Sequence, residues 1–147
     1  MASEDGPTVL TGQCHCGGAR VRFHLSRPAA AIQVRSCQCS FCRRHGALTA
    51  SDADGHAEIE ADKPLVRYRF GQGGIDILLC GVCGVYVAAV MDAAPGLVAT
   101  LNVAGLAMAP LDAATPTPMD YDDEDAGVRR ARRLVAWTPA TLVEAAL

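Results

Sequence analysis

Cys37-Gln38-Cys39-Ser40-Phe41-Cys42 sets three thiols within six residues, followed at once by Arg43, Arg44, His45 and Gly46. Three soft ligands this close can hold one metal ion, but they cannot fill the four positions of a tetrahedral zinc by themselves. Cys80-Gly81-Val82-Cys83-Gly84 has the shape of a zinc knuckle, and Cys14-His15-Cys16-Gly17-Gly18 offers a second, tighter pair. Taken together, Cys14, Cys16, Cys80 and Cys83 make a closed structural site that pins an N-terminal turn to the middle of the chain. That division leaves Cys37, Cys39 and Cys42 as a three-thiolate set with an open fourth position, which is what a catalytic or ligand-binding zinc keeps. A thiol entering that position would lose its proton and become a nucleophile at neutral pH. Spacing alone also permits the Cys80 pair to join the Cys37 group.

The residues after the triple suggest a ligand. Arg43 and Arg44 could receive the carboxylates of a peptide-like thiol, or could be plain surface arginines. His45 could supply a fourth ligand or carry a proton, since histidine titrates near neutrality, or could lie on the surface. His15, wedged between two ligand cysteines, is expected to point away from the metal. His24 and His56 carry no signal.

All seven cysteines fall in these three clusters, whereas structural cysteines behave as small hydrophobes scattered among core positions. The chain has 147 residues, half of them hydrophobic and a fifth charged, which bounds it to one globular domain, 1–147. A net charge of −3 and a pI of about 5.7 leave no basic footprint for nucleic acid. Met1 to Gly12 lacks the pattern of a secretory leader, and no stretch reaches the roughly 18 uninterrupted apolar residues of a membrane helix. The expected location is cytoplasmic. There disulfides are rare and an odd number of cysteines could not all pair, so metal or thiol chemistry is the default.

The elements that must position these thiols read as short strands. Val21, Phe23 and Leu25 alternate with Arg22 and His24; Ile32 and Val34 alternate with Gln33 and Arg35; Val66, Tyr68 and Phe70 alternate with Arg67 and Arg69. Ile75 to Leu79 enters the Cys80 turn, Val85 to Met91 leaves it, and Leu97 to Val103 follows Pro95-Gly96. Turn signals about every ten residues argue for a β-rich domain. Ala109 to Pro118 reads as irregular. The acidic run Asp120 to Asp125 and the basic run Arg129 to Arg133 read as solvated faces, a functional patch being the minority reading. Thr138-Pro139 could start a short helix through Glu144.

Gly12-Gln13-Cys14-x-Cys16-Gly17, Cys37-x-Cys39-Ser40-x-Cys42-Arg43 with Gly46, Cys80-x-x-Cys83-Gly84 and the late Trp137-Thr138-Pro139 resemble the glutathione-dependent formaldehyde-activating enzyme family, which also includes centromere protein V. The resemblance covers about residues 10 to 105 firmly and the rest loosely. It implies a mainly β, twisted and mostly antiparallel architecture of the β-tent type, held by a structural zinc on Cys14, Cys16, Cys80 and Cys83, with a second zinc on Cys37, Cys39 and Cys42. It also implies a carbon-sulfur lyase-type reaction on a glutathione–aldehyde adduct such as S-hydroxymethylglutathione, with glutathione as co-substrate and formaldehyde as the aldehyde. Leu79 stands where members often carry Phe, and Leu101-Asn102 where they carry Leu-Asp; neither change touches a ligand. The rival reading is a non-catalytic zinc module that binds glutathione or a protein partner. The expected partners are therefore a small thiol and an aldehyde, with no nucleic acid and no membrane.

Overall fold

The computed structural model describes residues 8–145; residues 1–7 and 146–147 lie outside them. The alternation in Ala19–Leu25 forms strand β2, with Ala19, Val21, Phe23 and Leu25 buried and Arg20, Arg22 and His24 turned outward. Strand β1 (Thr8–Gln13) pairs with it antiparallel and runs directly into the turn that carries Cys14 and Cys16. Strand β5 (His56–Ala61), whose Ala57, Ile59 and Ala61 point inward, pairs on the other side of β2. No signal singled it out, because two of its three inward side chains are alanines, too small to mark the apolar face.

The remaining strands are β3 (Arg35–Cys37), β4 (Thr49–Ala50), β6 (Val66–Tyr68), β7 (Asp76–Leu79), β8 (Tyr86–Ala93), β9 (Gly96–Asn102), β10 (Thr117–Met119) and β11 (Thr138–Glu144). They join one sheet in the order β1-β2-β5-β11-β9-β4-β3-β10, with β8, β7 and β6 added in turn from β9. The fold is mainly β, as the strand spacing predicts. Among the described residues every pairing is antiparallel except β3 with β10 and β5 with β11, so the sheet is mixed. Ile32 and Val34 are buried, but the strand begins only at Arg35.

The C-terminal segment departs from expectation. Thr138–Glu144 is a strand rather than a helix, inserted between β5 and β9. Tertiary pairing overrides the local Thr-Pro signal: Thr138 and Ala140 face the core, and the Thr138 hydroxyl accepts from the Asp52 backbone N–H at 2.7 Å. The helix lies just before it, α2 (Ala126–Ala136), where Asp125 caps the first turn by accepting from the Val128 N–H at 2.8 Å.

Two packed clusters share the central pair β8 and β9. Phe23, Ile59, Leu78, Leu101 and Met108 fill the larger one. Cys42, Ile77, Tyr86, Met91, Val98 and Trp137 form the smaller. Tyr86 to Met91 are all buried, which explains why β8 reads as a continuous apolar run rather than an alternation. Phe23 has no exposed surface, and Phe23→Ala is expected to lower unfolding free energy by about 3–5 kcal/mol in a denaturant titration. Among the described residues no helix is long and apolar enough to cross a membrane.

Candidate functional site

Cys14 and Cys16 lie on the turn between β1 and β2, and Cys80 and Cys83 on the turn between β7 and β8. The four Sγ atoms lie within 4.8 Å of one another. Cys14 to Cys16 and Cys16 to Cys80 are each 3.6 Å apart, far beyond the roughly 2.05 Å of a disulfide. Four sulfurs about 2.3 Å from one zinc would stand about 3.8 Å apart, so the donor set fits that ion. Backbone N–H groups of Gly18, Ala19, Val82 and Cys83 donate toward these sulfurs at 3.3–3.5 Å, which suits thiolates. Gly17 and Gly84 turn the backbone at φ of 82° and 80°, a region that favours glycine. The Cys37 group stands apart from this set, so the alternative that spacing leaves open, with Cys80 and Cys83 beside Cys37, is not the observed grouping.

Cys37 ends β3, Cys39 caps the short helix α1 (Ser40–His45) and Cys42 sits on its inner face. The Cys39 sulfur accepts from the Cys42 N–H at 3.3 Å. All three Sγ atoms lie within 4.8 Å of one another, three soft donors suited to one zinc ion. Hydrogen bonds with Cys37 and then Cys42 hold the Cys39 thiol well below the usual range; contact with Cys39 pushes Cys37 up, and contact with Cys37 and then Cys39 pushes Cys42 up. The three cysteines line a cavity of about 130 Å³.

Arg43, Arg44 and His45 are exposed and do not line that cavity. Helix geometry explains the placement: with Cys42 turned inward, the next residues face away. The His45 ring packs on Phe41 at 4.4 Å. Phe41 in turn stacks with Tyr68 and Phe70 and meets Tyr86 edge-on at 5.3 Å, which gives the cavity an aromatic wall. Tyr86 is buried and keeps its phenolic proton, because burial and then the adjacent cysteines push its pKa well above the ordinary value.

The cations of the cavity come from elsewhere. Arg35, Arg129, Arg132 and Arg133 line it with Tyr121 and Trp137. Reading the basic run wholly as a solvated face is therefore corrected: Arg130 is exposed, but Arg129, Arg132 and Arg133, spaced i, i+3, i+4, share the inner face of α2. That spacing is the signal that finds them. Arg132 pairs with Glu124 at 2.9 Å and lies over the Tyr121 ring. Burial lowers the pKa of Arg35 and of Arg133, and the neighbouring Arg132 and Arg129 lower Arg133 further. Arg35 donates to the Ser51 hydroxyl at 2.7 Å and the Thr100 hydroxyl at 3.2 Å.

Asn102 is structural. Its amide oxygen accepts from the Leu48 N–H at 3.2 Å and its amide nitrogen donates to the Tyr86 carbonyl at 2.9 Å, tying β9 to the strand that carries Tyr86. Asn102→Ala removes both hydrogen bonds, the one to the Tyr86 carbonyl buried and the one from the Leu48 N–H part-buried. The expected loss is about 2–4 kcal/mol, read by denaturant unfolding.

Residues 9–119 match the model of a protein family described as glutathione-dependent formaldehyde-activating enzyme. The crystal structure of a Rhodobacter sphaeroides protein is similar at a TM-score of 0.55 and 30% identity, covering 74% of this chain and 99% of that one. No curated protein matches the chain.

Proposed function

The chain belongs to the glutathione-dependent formaldehyde-activating enzyme family, and from that premise we propose that it is a zinc-dependent lyase-type enzyme, one domain acting on a glutathione–aldehyde adduct such as S-hydroxymethylglutathione. The observation that carries this reading is the placement of Cys37, Cys39 and Cys42 on the wall of a cavity. Of the four cysteines in the other set only Cys80 lines a cavity, whereas all three of these thiols reach theirs, as a site with an open position requires.

Zinc held by Cys37, Cys39 and Cys42 would supply the Lewis acidity that favours the thiolate form of an incoming thiol at neutral pH. The chain's residues do the rest. Cys37 and Cys42, fixed by β3 and the inner face of α1, orient the site. Phe41, Phe70, Ile75 and Trp137 line the cavity with apolar surface that excludes water and disfavours hydrolytic side reactions. In the synthetic direction a carbon–sulfur bond forms between the glutathione sulfur and the aldehyde carbon while the carbonyl π bond breaks. The proton lost by the thiol is matched by the one gained at the new hydroxyl. The reverse is the lyase reaction.

Exchange spectroscopy by NMR on glutathione, formaldehyde and S-hydroxymethylglutathione at equilibrium tests this. Catalytic amounts of the protein are expected to speed interconversion of free and bound formaldehyde. No acceleration, with glutathione still bound, would make the protein a binding module instead.

A further inference from the structure

Three guanidinium groups, those of Arg35, Arg129 and Arg133, share the cavity with the thiols and have no carboxylate partner. Arg35 lies on β3 two residues before Cys37, hence on the same face of that strand. Arg129 and Arg133 lie one helical turn apart on α2. The Nε of each is buried and makes no hydrogen bond. Among the described residues no carboxylate comes within ion-pair distance of any of the three, and Asp122, which also lines the cavity, is exposed and outside that range. Glu124 engages Arg132 alone.

Arg133 is buried, whereas Arg35 and Arg129 are half-buried and each donates to a neutral oxygen, Arg129 to the Tyr121 carbonyl at 2.9 Å; withdrawing a cation from water without an anionic partner is costly, and three neighbouring cations add mutual repulsion. An oxyanion entering the cavity relieves both. The guanidinium fork suits a planar carboxylate, which it binds through paired N–H donors. We propose that Arg35, Arg129 and Arg133 form an oxyanion subsite that binds a carboxylate of the thiol–aldehyde adduct and selects acidic substrates. The inference rests on the lyase reading above. Arg129 and Arg133 lie beyond residues 9–119, so the subsite depends on a helix outside the segment that matches the family. The carboxylate belongs either to the thiol, as in glutathione, or to the aldehyde, as in a 2-oxo acid.

Calorimetric titration of the purified zinc-containing protein with S-methylglutathione, its diethyl ester and glyoxylate distinguishes these sources. The wild type is expected to bind S-methylglutathione about tenfold or more tightly than the diester. R129Q and R133Q are expected to erase that preference, with R129K keeping part of it. R133Q should melt no lower than the wild type, because it removes an uncompensated buried charge, whereas a merely structural arginine would lower the melting temperature. Arginine-dependent binding of glyoxylate without binding of S-methylglutathione would keep the subsite and overturn the glutathione half of the function reading. Equal binding of S-methylglutathione by wild type, R129Q and R133Q, or equal binding of acid and diester, would overturn the subsite and leave that reading standing. Failure of both S-methylglutathione and glyoxylate to bind the wild type would overturn both.

Discussion

Cys80→Ser is expected to unfold the protein. Cys80 is buried at the β7–β8 turn, and its sulfur lies 3.6 Å from that of Cys16 across a separation of 64 residues. A serine hydroxyl replaces a soft thiolate with a poor zinc ligand, and the three thiols left cannot close a tetrahedron. Structural zinc contributes about 10–16 kcal/mol in small zinc-binding peptides, against a typical total stability of about 5–15 kcal/mol for a domain. Losing even half of that contribution exceeds what the hydrophobic clusters around Phe23 and Tyr86 are expected to hold in reserve. The expected readout is collapse of amide dispersion in the NMR spectrum and loss of cooperative unfolding, and a strong chelator should reproduce it in the wild type. A folded Cys80→Ser protein with an unchanged melting transition would remove the structural role.

Cys39→Ser is expected to behave in the opposite way, with the fold kept and the chemistry lost. Cys39 caps α1 by accepting from the Cys42 N–H, and serine is among the favoured residues at that position, so the helix keeps its cap. The sulfur itself is one of only three donors in the cavity cluster. Partners that merely orient metal ligands already cost up to about 100-fold when removed, and loss of a ligand should exceed that in the rate of adduct interconversion. Melting temperatures of Cys39→Ser and wild type should agree within a few degrees. Matching phenotypes for Cys39→Ser and Cys80→Ser would sink the division of labour between the two clusters.

The chemistry of this chain is easier to read in its sequence than the scaffold that presents it. Cysteine positions are local facts, and Cys37, Cys39 and Cys42 are close in space because they are close in sequence. Cys14, Cys16, Cys80 and Cys83 announce themselves through glycine turns whose geometry is local as well. Strands with one wet face, such as β2, show their alternation directly. What stays hidden depends on contacts between distant segments. Thr138–Glu144 becomes a strand because β5 and β9 leave a space for it, and nothing in Thr138-Pro139 registers that. Arg129 and Arg133 read as surface charge because their inner face becomes visible only when α2 packs beside the cysteines, while Arg43 and Arg44, adjacent to the motif in sequence, point away from the cavity. Nearness along the chain finds the cysteines within each turn, but not which turns come together, and it is a poor guide to the groups that line the cavity.

The central claim is that one cysteine set holds the fold and the other keeps a position open for a substrate thiol. Zinc analysis of wild type and of the triple variant C37S/C39S/C42S, both purified without added metal, tests it most directly. The account predicts two zinc ions per chain in the wild type and one in the triple variant, which remains folded but no longer binds glutathione. One zinc ion in both proteins, or a triple variant that unfolds as Cys80→Ser is expected to, would contradict it.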